Sequence, residues 1–241
     1  MKLNKTDFIS TIKKFHLNGL LEKVKFNVKD GNLFIDQKPD DGSFRVTLNA
    51  NLPIPDGTFG IGSPNELISL LSALSDEFDV SYHFVKNKAV GLNLSDDKAN
   101  VTYVYLDESV VQSETTRPTP LVWDLTIDLT KDFMTKVIQS KKALSNPKAL
   151  AIEPLGDTLC WIMNFDPTTN VNRITLDGTF NTCNTSEVSA FDANLVCSIF
   201  EANKDFRTAT LTICSRPQNV AWFTFMGEDC EVVYRMRTLN F

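Results

Sequence analysis

The sequence predicts an α+β protein of two similar domains, each with two helices on one face of antiparallel sheets. Three observations predict it. Four amphipathic segments begin near Lys5, Pro64, Lys131 and Ala193, at intervals of about 60 residues. The runs between them alternate apolar and polar residues with the period of strands. One irregular stretch in the middle, ESVVQSETTRPTPL from Glu108 to Leu121, lengthens the second interval and separates two halves with the same order of elements.

In the first helix Phe8, Ile12 and Phe15 fall at i, i+4 and i+7. Thr6 is the expected cap, Asp7 lies in the first turn, and Asn18-Gly19 ends the helix. The second runs from Ser63 to about Ser75. Ser63 caps it, Pro64 takes the first position, Glu66 completes a capping box, and Leu67, Leu70, Leu71 and Leu74 form the stripe. The third follows Thr130, carries Phe133, Val137 and Leu144, and stops at Asn146-Pro147; the fourth spans Asp192 to about Asn203 with Leu195, Ile199 and Ala202 in line.

KVKFNV-KDGN-LFIDQ is a hairpin around the Asp30-Gly31 turn. SFRVTLNA, FDVSYHF, AVGLNL and ANVTYVYL continue the strands of the first half. VWDLTIDL, ALAIEPL, TLCWIMNF, NRITLDGTF, ATLTICS, VAWFTFM and CEVVYRM supply those of the second. Each helix is thus preceded by one short strand and followed by about three more. The expected boundaries are a domain at 1–107, a connecting loop at 108–120 and a domain at 121–241.

Composition narrows the function. The 241 residues are 42% hydrophobic, enough for substantial cores, with net charge −6 and pI near 5.0. That balance argues against a protein that coats nucleic acid over its whole surface, although one confined face can still be basic. The opening MKLNKTDFIS lacks the apolar run of a signal peptide, and no stretch reaches the roughly 18–20 apolar residues of a membrane helix. A cytoplasmic protein with no membrane contact is the expectation. Cys160, Cys183, Cys197, Cys214 and Cys230 form no CxxC pair, and most lie in apolar runs as core residues would. His16 and His83 are isolated. No HExxH, GxSxG, Walker A or paired-carboxylate motif is present, so neither an enzyme nor a metal or cofactor site is expected.

The helix faces opposite the apolar stripes carry the chemistry. The first shows Ser10, Lys13 and Lys14; the second Ser69, Ser72 and Ala73; the third Thr135, Lys136, Gln139 and Lys142; the fourth Cys197 and Glu201, followed by Lys204 and Arg207. Five lysines and one arginine against one glutamate, in an acidic chain, are either ordinary solvated faces or a positive lining that follows phosphates without reading bases.

Along essentially its whole length the sequence resembles the sliding clamps of DNA replication, most closely the T-even bacteriophage type. MKLNKTDFISTIKKF is similar to the first strand and inner helix of that family, and SPNELISLLSAL to its second helix. ESVVQSETTRPTPLVWDLTIDLTKDFMTKVIQSKKAL resembles its proline-bearing connector, crossover strand and third helix. FDANLVCSIFEANKDFRTATLTI resembles its fourth helix with flanking strands, and EVVYRMRTLNF its last strand and tail. The chain departs from the pattern between Gly178 and Val188, in its uncharged second helix and at Glu201.

The resemblance implies a DNA-clamp fold closing as a homotrimer, a pseudo-sixfold ring around duplex DNA, in the cytoplasm of an infected bacterial cell. Lys13, Lys14, Lys136, Lys142, Lys204 and Arg207 would face the DNA. Val101, Tyr103 and Tyr105 of one subunit would meet Arg173 and Thr175 of the next. A DNA polymerase, a clamp loader and transcription factors are the implied partners. Their peptides would dock at Val110, Val111, Pro118 and Leu121 with Leu239 and Phe241. A monomeric processivity factor of clamp-like fold and a phage structural or assembly protein are the alternatives.

Overall fold

Cap and turn chemistry sets the elements of the first half. In this computed structural model, which describes residues 1–111, 121–215 and 218–239, β1 (Lys2–Asn4) runs directly into α1 (Lys5–His16). The Asn4 side chain accepts the Thr6 and Asp7 N–H groups at 2.9 and 3.2 Å, so Asn4 is the cap and Thr6 lies inside the helix. Leu17, in the left-handed region at φ 47°, closes α1 by donating its N–H to the Lys13 carbonyl. β2 (Val24–Lys29) and β3 (Asn32–Gln37) form the expected hairpin. Asp30 and Gly31 both take positive φ, 53° and 74°, as a two-residue turn matched to strand twist requires.

β4 (Phe44–Asn51) and β5 (Gly57–Ile61) lead to α2 (Pro64–Leu71). The Ser63 hydroxyl accepts the Glu66 N–H at 3.3 Å, which is half of the expected capping box. The other half is replaced: the Ser63 N–H donates to the Tyr103 hydroxyl at 3.1 Å. α2 ends at Leu71 rather than near Ser75, passing into tighter turns at Ser72, Ala73 and Leu74. β6 (Glu77–Val85), β7 (Lys88–Ser95) and β8 (Asn100–Val104) complete this half.

The second half repeats the order: β9 (Leu125–Asp128), α3 (Lys131–Ala143), β10 (Ala149–Leu155), β11 (Thr158–Met163) and β12 (Ile174–Gly178), then β13 (Thr182–Cys183), β14 (Ser189–Asp192), α4 (Ala193–Ala202), β15 (Thr208–Cys214), β16 (Val220–Met226) and β17 (Cys230–Arg237). Thr130 caps α3 and Asp192 caps α4, their side chains accepting the Phe133 and Leu195 N–H groups at 3.2 and 2.8 Å. Packing divides the chain into Met1–Thr116 with Asp229–Val232, and Arg117–Glu228 with Val233–Phe241.

Sheet topology makes the repetition explicit. The first half has strand orders β4-β3-β2-β5 and β1-β6-β7-β8; the second has β12-β11-β10-β14 and β9-β15-β16-β17. The one addition is β13, which pairs with the outer side of β9 and is tied there by the Asn181 amide on the Asp128 carboxylate at 2.7 Å. It lies in the TFNTCNTSE segment.

Each unit buries the apolar stripes of its helices. Phe8, Ile12 and Phe15 of α1 are fully buried, and Phe15 meets Phe26 of β2 edge-on at 5.6 Å. In the second unit Met134, Val137 and Ile138 of α3 are buried, while Phe200 of α4 meets Phe223 of β16 edge-on at 5.9 Å. α4 is buried over a wider arc than its i, i+4 pattern implies. Cys197, expected on the exposed face, is 2% exposed because Val196, Cys197 and Phe200 form one apolar surface with Leu195 and Ile199. At the end of α4 the buried Asn203 amide donates to the Ile199 carbonyl and the Tyr234 hydroxyl, both at 2.8 Å, tying the helix to β17.

Candidate functional sites

Exposure sorts the six predicted basic residues into different situations. Lys13 is exposed on α1. Lys14 is not: only 6% of it is accessible, and its ammonium donates to the Ser10 hydroxyl at 2.7 Å. Consecutive helical residues diverge by about 100°, so Lys14 is turned toward the packed side while Lys13 faces out. α2 exposes Asn65, Glu66 and Ser69, and the turns that follow it expose Ser72 and Ala73, with no cation. On α3 Lys136 and Lys142 are exposed, and the Lys142 ammonium lies 3.5 Å from the Glu201 carboxylate of α4. Lys204 is exposed just beyond α4. Arg207 is exposed too, but its guanidinium pairs with Glu228. Cys197 sits beneath this region; burial pushes its thiol up to about 11, against the opposing fields of Lys141 and Lys142.

β8 and β12 are two of the strands that end a sheet. β8 ends the β1-β6-β7-β8 sheet and β12 ends the β12-β11-β10-β14 sheet. The Tyr105 N–H donates to the Val90 carbonyl, so alternate residues Tyr103 and Val101 also direct their main chain toward β7. Thr102 and Val104 therefore turn their N–H and C=O groups to the open side, and the Val104 side chain is 65% exposed. A Cβ at Gly91 would collide with the Tyr103 carbonyl, so glycine is what lets β7 and β8 approach there.

The expected interface residues on β8 behave differently from one another. Val101 is half-buried. Tyr103, at 4% exposure, faces inward: its hydroxyl accepts the Gly62 and Ser63 N–H groups and locks β8 to the start of α2, and burial raises its pKa. Tyr105 stacks on Phe59 at 4.4 Å, 12° from parallel, and burial raises its pKa too. Neither ring is on the open side, because each has an apolar or hydrogen-bonding site within its own unit. On the other edge Arg173, just before β12, and Thr175 within it are exposed. A cleft of about 340 Å³ runs beside β8, lined by Glu66 and Leu70 of α2 with Thr102, Val104 and Leu106.

Three of the six residues expected to receive a peptide line two clefts. Val110 and Val111 line one of about 750 Å³ in the first unit, with Leu20, Leu21, Pro39 and Gln37. Val111 is 5% exposed and Val110 51%, so one valine is packed as floor and the other stands free. Leu239 lines another of about 460 Å³ in the second unit, beside Phe165, Pro167 and Val171, its N–H donating to the Ala190 carbonyl. Leu121 is half-buried and lines neither cleft. Pro118 and Phe241 lie outside the described residues. Sequence reading missed Leu20, Leu21 and Pro39; the Leu20-Leu21 pair just past the Asn18-Gly19 helix stop was the available signal.

The likeness to solved structures extends over the whole chain. Proliferating cellular nuclear antigen (PCNA) from Entamoeba histolytica is similar at TM-score 0.75 and 16% identity, covering 99% of this chain and 98% of that one. The chain has the sliding-clamp fold. The clamp of A. fulgidus, PCNA solved with the C-terminal region of FEN-1 bound, gives TM-score 0.78 at 11% identity over 100% and 98% of the two chains. A PCNA2–PCNA3 complex from Sulfolobus tokodaii gives 0.74 at 10%, covering 99% of each chain. No protein-family model matches the sequence, and no curated protein matches it significantly. Among the described residues no group of His, Cys, Asp or Glu side chains could hold a metal ion, and no helix is long and apolar enough to cross a membrane.

Proposed function

We propose that this chain is a DNA sliding clamp, a polymerase processivity factor of the T-even phage type that closes as a homotrimer around duplex DNA. The observation that carries the reading is the clamp fold along the full chain, with β8 of one unit and β12 of the other each ending a sheet. An edge as apolar as VTYV, with Val104 open to solvent, invites another strand, and a second copy's β12 offers one. In this reading 108–120 is the loop connecting domains 1–107 and 121–241.

Sliding needs attraction that is diffuse and weak. Exposed Lys13, Lys136, Lys142 and Lys204 suit contacts to phosphate through water, which hold the duplex without fixing a register. Lys14 is withdrawn from that set by its burial, and Arg207 contributes only when it leaves Glu228. The net charge of −6 keeps DNA from other surfaces. A clamp-loader ATPase opens the ring. Polymerase and other partners dock through short apolar peptides at the cleft of Val110 and Val111; the A. fulgidus clamp was solved with the C-terminal region of a partner, FEN-1, bound to it.

Light scattering across a concentration series tests the assembly. A trimer of 27.0 kDa subunits has a mass of about 81 kDa, and Val104→Lys is expected to return it to monomers with its fold intact. A wild-type mass of 27.0 kDa at every concentration would sink the ring, and loader-dependent stimulation of polymerase that survives in the Val104→Lys monomer would sink the encircling mechanism.

A further inference from the structure

One acidic side chain stands where local electrostatics disfavours it. Glu201 is in the last turn of α4, next to the negative end of the helix dipole, and that turn contains no base. What compensates is on the neighbouring helix: the Lys142 ammonium of α3 lies 3.5 Å away, 70% exposed against 33% for the glutamate. The buried Cys197 thiol of α4 also feels the charges of Lys141, Lys142, Glu201 and Asp192. The only other acid on these two helices, Asp132, is in the first turn of α3, where the dipole favours it.

We propose that Glu201 is a built-in competitor for DNA phosphate: it holds Lys142 when no phosphate is near and releases it to one that passes. This rests on the DNA-encircling reading and adds a device to it. An exposed ion pair contributes between nothing and about 1 kcal/mol, so exchanging carboxylate for phosphate is close to balanced. Lys142 then steadies the duplex without anchoring it. The carboxylate is itself the phosphate's stand-in, and it returns to the lysine as the duplex moves on.

The test is binding of a fluorescent duplex to the full-length protein over a series of salt concentrations, for wild type, E201Q, K142A, E201Q/K142A and K136A. Freed Lys142 makes E201Q bind several-fold tighter at low salt, with a log–log salt slope steeper by up to about 0.9 per subunit, the value for one added phosphate contact. In the K142A background the same substitution leaves affinity unchanged. An equal gain in both backgrounds overturns the proposal, because the carboxylate then acts only through net charge. So does an unchanged E201Q while K136A weakens binding, and that outcome leaves the DNA-facing reading standing. If K136A and K142A also bind as wild type does, the DNA-facing reading fails and this proposal with it. Melting curves that coincide with wild type confirm that the substitutions leave the fold intact.

Discussion

The helical faces of the two units share one topology and differ in charge. α1 and α2 carry a single exposed cation, Lys13, and α2 offers serines, an asparagine and a glutamate. α3 exposes Lys131, Lys136 and Lys142, with Lys204 just past α4 and Glu201 set among them. Yet the strand orders on which these helices pack are the same, β4-β3-β2-β5 with β1-β6-β7-β8 against β12-β11-β10-β14 with β9-β15-β16-β17. The lesson is a division of labour between positions. Buried stripes are held to one solution by packing, whereas exposed positions are energetically cheap and free to diverge. The charge asymmetry is therefore a property of the surface and not a distortion of the repeat.

The largest expected effect concerns what the units have in common. Phe8→Ala in α1 and Phe200→Ala in α4 each empty a fully buried aromatic site, and each is expected to cost about 3–5 kcal/mol in denaturant unfolding. A loss below about 1 kcal/mol at either site would break the equivalence of the two cores.

A smaller effect measures the difference. K13A is expected to flatten the salt dependence of duplex binding by up to about 0.9 per subunit, and K136A/K142A by up to about twice that. Should K13A weaken binding as much as the double variant, the contrast between the faces would be wrong. The smallest effect concerns Cys197, where the sequence pattern and the fold disagree. Its thiol is buried and pushed from 9.0 to about 11, so at pH 8 it is protonated and shielded. Alkylation there should lag behind the half-buried Cys160, Cys183 and Cys230. Equal labelling of Cys197 would put it back on an exposed face.

Much of the architecture was legible because it is local. Ser63, Thr130 and Asp192 announce three of the four helix starts through caps that need only neighbouring N–H groups, and Asp30-Gly31 announces its hairpin through allowed φ values. The candidate sites were less legible, and the errors share a cause. Tyr103 reads as an edge residue, yet its ring leaves the edge to cap α2 from 40 residues away. Val110 and Val111 form one apolar pair in sequence and two environments in the fold. Lys13 and Lys14 differ in the same way, one in solvent and one turned back onto Ser10.

By itself, then, the sequence determined the α+β class, the helix starts and the repeated order of elements, all of which depend on periodicity and on bonds spanning a few residues. Tertiary structure alone decided which of two adjacent lysines meets solvent, which valine becomes a floor, and that Glu201 finds Lys142. Those outcomes depend on what packs across from a side chain, and burial and charge pairing act through space between elements far apart along the chain.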